Sequence, residues 1–67
     1  MQPKPVKSKL IEAIGYDETT RRLTVFFIDG HVSQFDGVPK GVVVGFELAA
    51  SPGDYYMSEI RTVYPRS

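Results

Sequence analysis

The stretch Leu23–Phe35, LTVFFIDGHVSQF, decides how the rest of the chain is read. Its first half is β-branched or aromatic at nearly every position, the composition of a strand. Alternation puts Leu23, Val25 and Phe27 on one face and Phe26 and Ile28 on the other. Apolar residues on both faces predict a central strand, covered on at least part of each side. Asp29-Gly30 predicts a two-residue type I′ hairpin, after which Val32–Phe35 returns as a partner strand with Phe35 or Val32 inward.

Outward on the N-terminal side, DETTRR at Asp17–Arg22 is a polar connection and LIEAIGY at Leu10–Tyr16 reads as a further strand. The expectation is a three-stranded antiparallel meander over about 9–16, 22–28 and 31–35, the minimum for an independently stable sheet. The proline- and lysine-rich start, MQPKPVKSK, predicts a flexible arm over residues 1–8, with one domain over 9–67. On the C-terminal side, Asp36-Gly37-Val38-Pro39 ends the sheet, and Pro39 suits the first turn of a helix. A helix over about 39–50 places Val42, Val43, Phe46, Ala49 and Ala50 on one face, although three valines and Gly45 weigh against it. Ser51-Pro52-Gly53-Asp54 predicts a capped start for a second helix over 52–63, with Tyr56, Met57, Ile60 and Tyr64 on one stripe. The fold class expected is therefore α+β, two helices packed on the meander.

With 67 residues the chain is one small domain whose stability is marginal. It has no cysteine, so neither a disulfide nor a thiolate metal site is available, and this fits a reducing cytoplasm. Eight basic residues balance eight acidic ones, so any nucleic-acid site must be a local patch. No apolar run is long enough to cross a bilayer, and neither a metal nor a cofactor is expected.

His31 and Ser33 share a strand face near Asp29 and Asp36, which can be drawn as a triad. Triads are recognised by geometry, and the plainer reading is a solvated histidine beside a turn, so no catalytic residue is assigned. Basic residues cluster at Lys4, Lys7 and Lys9, at Arg21 and Arg22, and at Arg61 and Arg66. Cations on phosphates and aromatic faces on bases are what hold single strands. The candidates for such a patch are Lys7, Lys9, Arg21, Arg22, Ser33, Phe35, Tyr55 and Arg61. Val44 and Leu48, one turn apart and off the main helical stripe, are candidates for a protein interface.

The order of these pieces resembles the KTSC domain, a small module named for the C-terminus of some lysyl-tRNA synthetases. The matching pieces are Ser8, IGYD at Ile14–Asp17, LTVFF at Leu23–Phe27, Gly30, GVP at Gly37–Pro39, AASPGDYY at Ala49–Tyr56 and IRTVY at Ile60–Tyr64. The resemblance implies a compact α+β module, no known catalytic activity, and an RNA-binding role suggested by association with the synthetase. The family pattern carries Tyr-x-Tyr before the Val-Pro step; here Ser33-Gln34-Phe35 stands in its place. If those rings stack on bases, one platform is lost; if they are structural, Phe35 still packs and Ser33 lies partly exposed at the sheet edge. The expected function is a non-enzymatic binding module with nucleic acid, RNA above all, as partner. The rival is a protein-interaction or regulatory module of the kind a phage or mobile element encodes, acting through an apolar surface or as a dimer, the chain being a monomer or weak homodimer.

Overall fold

The structure, a computed structural model, describes residues 3–66. Met1, Gln2 and Ser67, the outer residues of the expected arm and domain, lie outside the described residues. The fold is α+β, with an antiparallel sheet in the order β1-β2-β3-β4. The strands are β1 Lys4–Pro5, β2 Ile11–Asp17, β3 Arg22–Phe27 and β4 Val32–Phe35. The sheet thus has four strands rather than three, because part of the stretch read as an arm pairs with β2, Lys4 opposite Ile14 and Pro5 opposite Ala13. Helix α1 spans Lys40–Leu48 and α2 spans Pro52–Tyr55, running directly into a π-helical turn over Tyr56–Ile60.

Strand β3 is central as expected, with Leu23 and Val25 fully buried on the helix-facing side. In β2, Ile11 and Ile14 are an odd number of residues apart, yet both are buried. A bulge between Ile11 and Ala13 adds one residue and brings both side chains to the core side. In β4 it is Phe35 that points inward, while Val32 is exposed. The helices close this face with Val43 and Phe46 from α1 and Tyr56 and Ile60 from the π turn. Tyr56 meets Phe27 and Phe35 edge-on, with centroids 5.2 and 5.9 Å away.

The hairpin between β3 and β4 is one residue longer than expected. The N–H of Gly30 donates to the carbonyl of Phe27 (3.0 Å) and the N–H of Phe27 to that of His31 (2.8 Å), so the loop is Ile28–Gly30. Only Gly30 has positive φ there (97°), which fits a type I turn closed by a glycine bulge. The second helix also departs from expectation. Ser51 makes no side-chain cap, and the chain is held instead by the Tyr55 N–H on the Ser51 carbonyl (3.0 Å). The Arg61 N–H reaches back five residues to the Tyr56 carbonyl (2.9 Å), widening the turn. Tyr56 and Ile60 stay buried, but Met57, expected on the same stripe, is 46% exposed. α1 stops at Leu48, leaving Ala49 and Ala50 outside it.

Candidate functional site

Basic side chains are brought together between the hairpin end of the sheet and the outer flank of β4. Ser8 turns the chain there, its hydroxyl accepting the N–H groups of Leu10 (3.0 Å) and Ile11 (3.2 Å). Lys7 and Lys9 flank that turn and line a shallow groove of about 710 Å3 against Ser51–Asp54. Leu10 and Met57 also line this groove, and both line a second one of about 310 Å3 between β4 and the π turn. The second groove adds Ser33, His31, Arg61 and Arg66. Arg66 is placed by the last described residues, which run antiparallel beside β4: Phe35 bridges Arg66, and the Asp36 N–H donates to the Pro65 carbonyl (3.1 Å).

Lys7, Lys9, Arg61 and Arg66 therefore border one continuous surface with an apolar saddle at Leu10 and Met57. None of the four pairs with a carboxylate among the described residues. Two carboxylates share the surface, Asp54 in the first groove and Asp29 in the second. Asp29 is already engaged. Its Oδ1 accepts the His31 N–H (3.0 Å) and its Oδ2 lies 2.8 Å from His31 Nδ1. The His31 backbone N–H, and then the ring, hold the Asp29 carboxyl below its usual pKa. Ser33 makes no hydrogen bond to His31, so these residues form a turn-bracing pair and not a triad.

Of the residues read as a nucleic-acid patch, the structure unites Lys7, Lys9, Ser33 and Arg61. Arg21 and Arg22 line neither groove; Arg22 begins β3, roughly 17 Å from its hairpin end at about 3.4 Å per residue. Arg22 is also engaged there, its Nε 3.0 Å from Asp36 Oδ1. Phe35 is a correction: it is fully buried and offers no face for a base. Tyr55 is another. Its ring stacks on Phe46 with centroids 5.3 Å apart, its hydroxyl donates to the Val42 carbonyl (2.8 Å), and burial pushes its phenol pKa up. Val44 (42%) and Leu48 (79%) are both exposed. Leu10, His31, Met57 and Arg66 were not singled out for this surface by the sequence. Arg66 belonged to a recognised basic cluster, but the pairing that brings it to β4 leaves no local signal. No cluster of three or more potential metal ligands occurs among the described residues. No helix among them is long and apolar enough to cross a membrane.

Residues 7–64 match the KTSC domain family. This chain belongs to that family. A KTSC domain protein from Yersinia pestis, known from its crystal structure, superposes with a TM-score of 0.93 at 32% identity, over 98% of this chain and 93% of that one. The DNA-directed RNA polymerase subunit beta' of Orientia tsutsugamushi, strains Boryong and Ikeda, is 38% identical over 53 residues. That match takes in 79% of this KTSC chain and 4% of the polymerase subunit, so the chain spans only a small segment of the curated relatives it matches.

Proposed function

We propose that this KTSC domain is a non-catalytic module that binds single-stranded nucleic acid, RNA above all, along the groove bordered by Lys7, Lys9, Arg61 and Arg66. The observation that carries the reading is the convergence of these four cations, from three parts of the chain, with no carboxylate partner among the described residues. In contrast, Lys4 and Lys40 are paired, with Glu47 and Glu18. A protein of balanced net charge that keeps four cations without a carboxylate partner among the described residues on one surface has a local footprint for phosphates. The polymerase relatives support the reading, since their names state a nucleic-acid enzyme.

Four phosphate contacts on a single strand give a slope near −2.8 in log K against log salt, at about −0.7 per contact. Fluorescence anisotropy with a labelled single-stranded RNA should therefore show about a 50-fold loss of affinity from 50 to 200 mM salt. Replacing Lys7 and Lys9 by glutamine should flatten the slope by about 1.4, and so should replacing Arg61 and Arg66. Arg21→Gln, outside both grooves, should leave it unchanged. Absence of binding at 50 mM, or an affinity indifferent to salt, would overturn the reading.

A second reading rests on α1, where Val44 and Leu48 sit exposed on adjacent turns. That stripe suits a protein partner or a second copy of the chain. Val44→Asp with Leu48→Asp should abolish such an association in sedimentation while leaving RNA binding intact.

A further inference from the structure

We propose that the smaller groove, between β4 and the π turn, is a receptor for a terminal phosphate: the phosphomonoester of a nucleotide or of a strand end. This deepens the nucleic-acid reading above and rests on it. The two grooves differ in chemistry. The larger offers two ammonium groups, Lys7 and Lys9, which act as point charges toward passing phosphodiesters. The smaller offers two guanidinium forks, Arg61 and Arg66, whose planar donors match a group with several terminal oxygens. A phosphodiester has two non-bridging oxygens and one negative charge. A phosphomonoester has three terminal oxygens and close to two charges, so two forks can engage it together.

The fold holds both arginines by their backbones. Arg61 follows the π turn, and its Nη1 rests 3.6 Å from Met57 Sδ, leaving its other donors free. Arg66 is fixed by its bridge to Phe35, with its guanidinium carbon 5.9 Å from the ring centroid. Ser33 lines the same groove, a small side chain on the helix-facing side of β4, where Phe35 is large and buried. Its short side chain opens the groove, and its hydroxyl has no hydrogen-bond partner among the described residues. The one carboxylate of this groove, Asp29, has both oxygens occupied by His31, which draws it toward the hairpin. The volume, about 310 Å3, is at the small end for a ligand site and suits one nucleotide. Phe27, Leu10 and Met57 form the apolar wall for its base, and a thioether adapts well to an aromatic ring. Because Leu10 and Met57 also border the larger groove, a strand anchored by its end at the arginines continues toward Lys7 and Lys9.

The test compares one RNA decamer in three forms, 5′-phosphorylated, 3′-phosphorylated and with neither phosphate, together with adenosine monophosphate, by anisotropy and amide NMR at 50 mM salt. One phosphorylated form should bind about tenfold tighter than the unphosphorylated strand. Arg61→Gln with Arg66→Gln should erase that difference, whereas Lys7→Gln with Lys9→Gln should weaken all three strands alike. Adenosine monophosphate shifting Ser33 and Arg61 as strongly as the phosphorylated strand would support the site and identify free nucleotides as its source. Three strands of equal affinity would overturn the terminal-phosphate reading and leave strand binding standing. No binding by any of them would overturn both.

Discussion

Gly41 and Gly45 lie in the same helix, and alanine at the two positions should act in opposite directions. In a helix interior, Gly→Ala gains up to about 1 kcal/mol from backbone entropy and propensity. Gly41 is the second residue of α1, where the gain is a fraction of that, but a new Cβ there would meet nothing within 4 Å, so it is unopposed. At Gly45 the Cβ would lie 2.6 Å from the Tyr55 hydroxyl oxygen, 3.2 Å from Cζ and 3.4 Å from Cε2. The ring has little freedom to retreat, being stacked on Phe46 and bonded through its hydroxyl to the Val42 carbonyl. Relief costs that hydrogen bond, about 1 kcal/mol net, and a repacking of roughly 1–3 kcal/mol. Set against the propensity gain, Gly45→Ala should destabilise by about 1–3 kcal/mol. In a domain of this size each kcal/mol moves the melting temperature by about 4–8 °C. Circular dichroism melts should therefore show Gly41→Ala rising by a few degrees and Gly45→Ala falling by more. A Tyr55→Phe background removes the atom at 2.6 Å and should shrink the cost of Gly45→Ala, a coupling of about 0.5 kcal/mol or more. If both alanines raise the melting temperature, or if Tyr55→Phe leaves the Gly45→Ala cost untouched, the close approach of Tyr55 does not constrain the helix as argued.

The other expectations concern the strand connections. Arg21 has φ 58°, a left-handed conformation that costs a non-glycine residue about 1 kcal/mol. Arg21→Gly should raise stability by about 0.5–1 kcal/mol in urea unfolding, and a loss would count against strain at this turn. Tyr16 donates its hydroxyl to the Val38 carbonyl (2.6 Å), tying β2 to the chain entering α1. Tyr16→Phe should lower stability by about 1 kcal/mol without changing the fold, as read by calorimetry. Asp29 has its pKa lowered from 3.8 by the His31 backbone N–H and ring. Its stabilising effect is fully present above that ordinary value and is lost as pH falls through the lowered one. Melting temperatures followed from pH 5 downward should decline less steeply in Asp29→Asn than in the parent; parallel curves would show that the carboxylate does not brace the hairpin.

The β3–β4 hairpin was legible because composition and period both act locally. Phe35 and Leu23 are paired in register and share the core side, as alternation requires. The extra residue in its turn was not legible, since Asp29-Gly30 suits both the two-residue loop and the last two positions of a three-residue one. β1 leaves no signal in the sequence because its pairing involves only two residues and depends on β2 being in place. The bulge in β2 breaks the period that would have marked Ile11 and Ile14 as one face. The π turn has no composition that distinguishes it from an ordinary helical turn, so the sequence alone places Met57 on the buried stripe. In the site, residue type was readable and direction was not. Arg22 looked free because its partner Asp36 is fourteen residues away on the adjoining segment. Tyr55 looked available because nothing local reveals that Gly45 opens a slot for its ring.

The groove and the core are joined at Phe35. This ring is fully buried although β4 lies at the end of the sheet order, and Arg66, bridged to it, lies over its outer side. The same guanidinium lines the smaller groove. An anion that engages Arg66 therefore also holds the cover over Phe35, and linkage requires the reciprocal effect: whatever secures the Pro65–Asp36 hydrogen bond improves the site. Few hydrogen bonds fix this edge, so it belongs to the part of the molecule that opens at lowest cost. Ligand binding should accordingly slow amide exchange most at Asp36, whose N–H donates to Pro65, and far less at Val25 in the middle of the sheet.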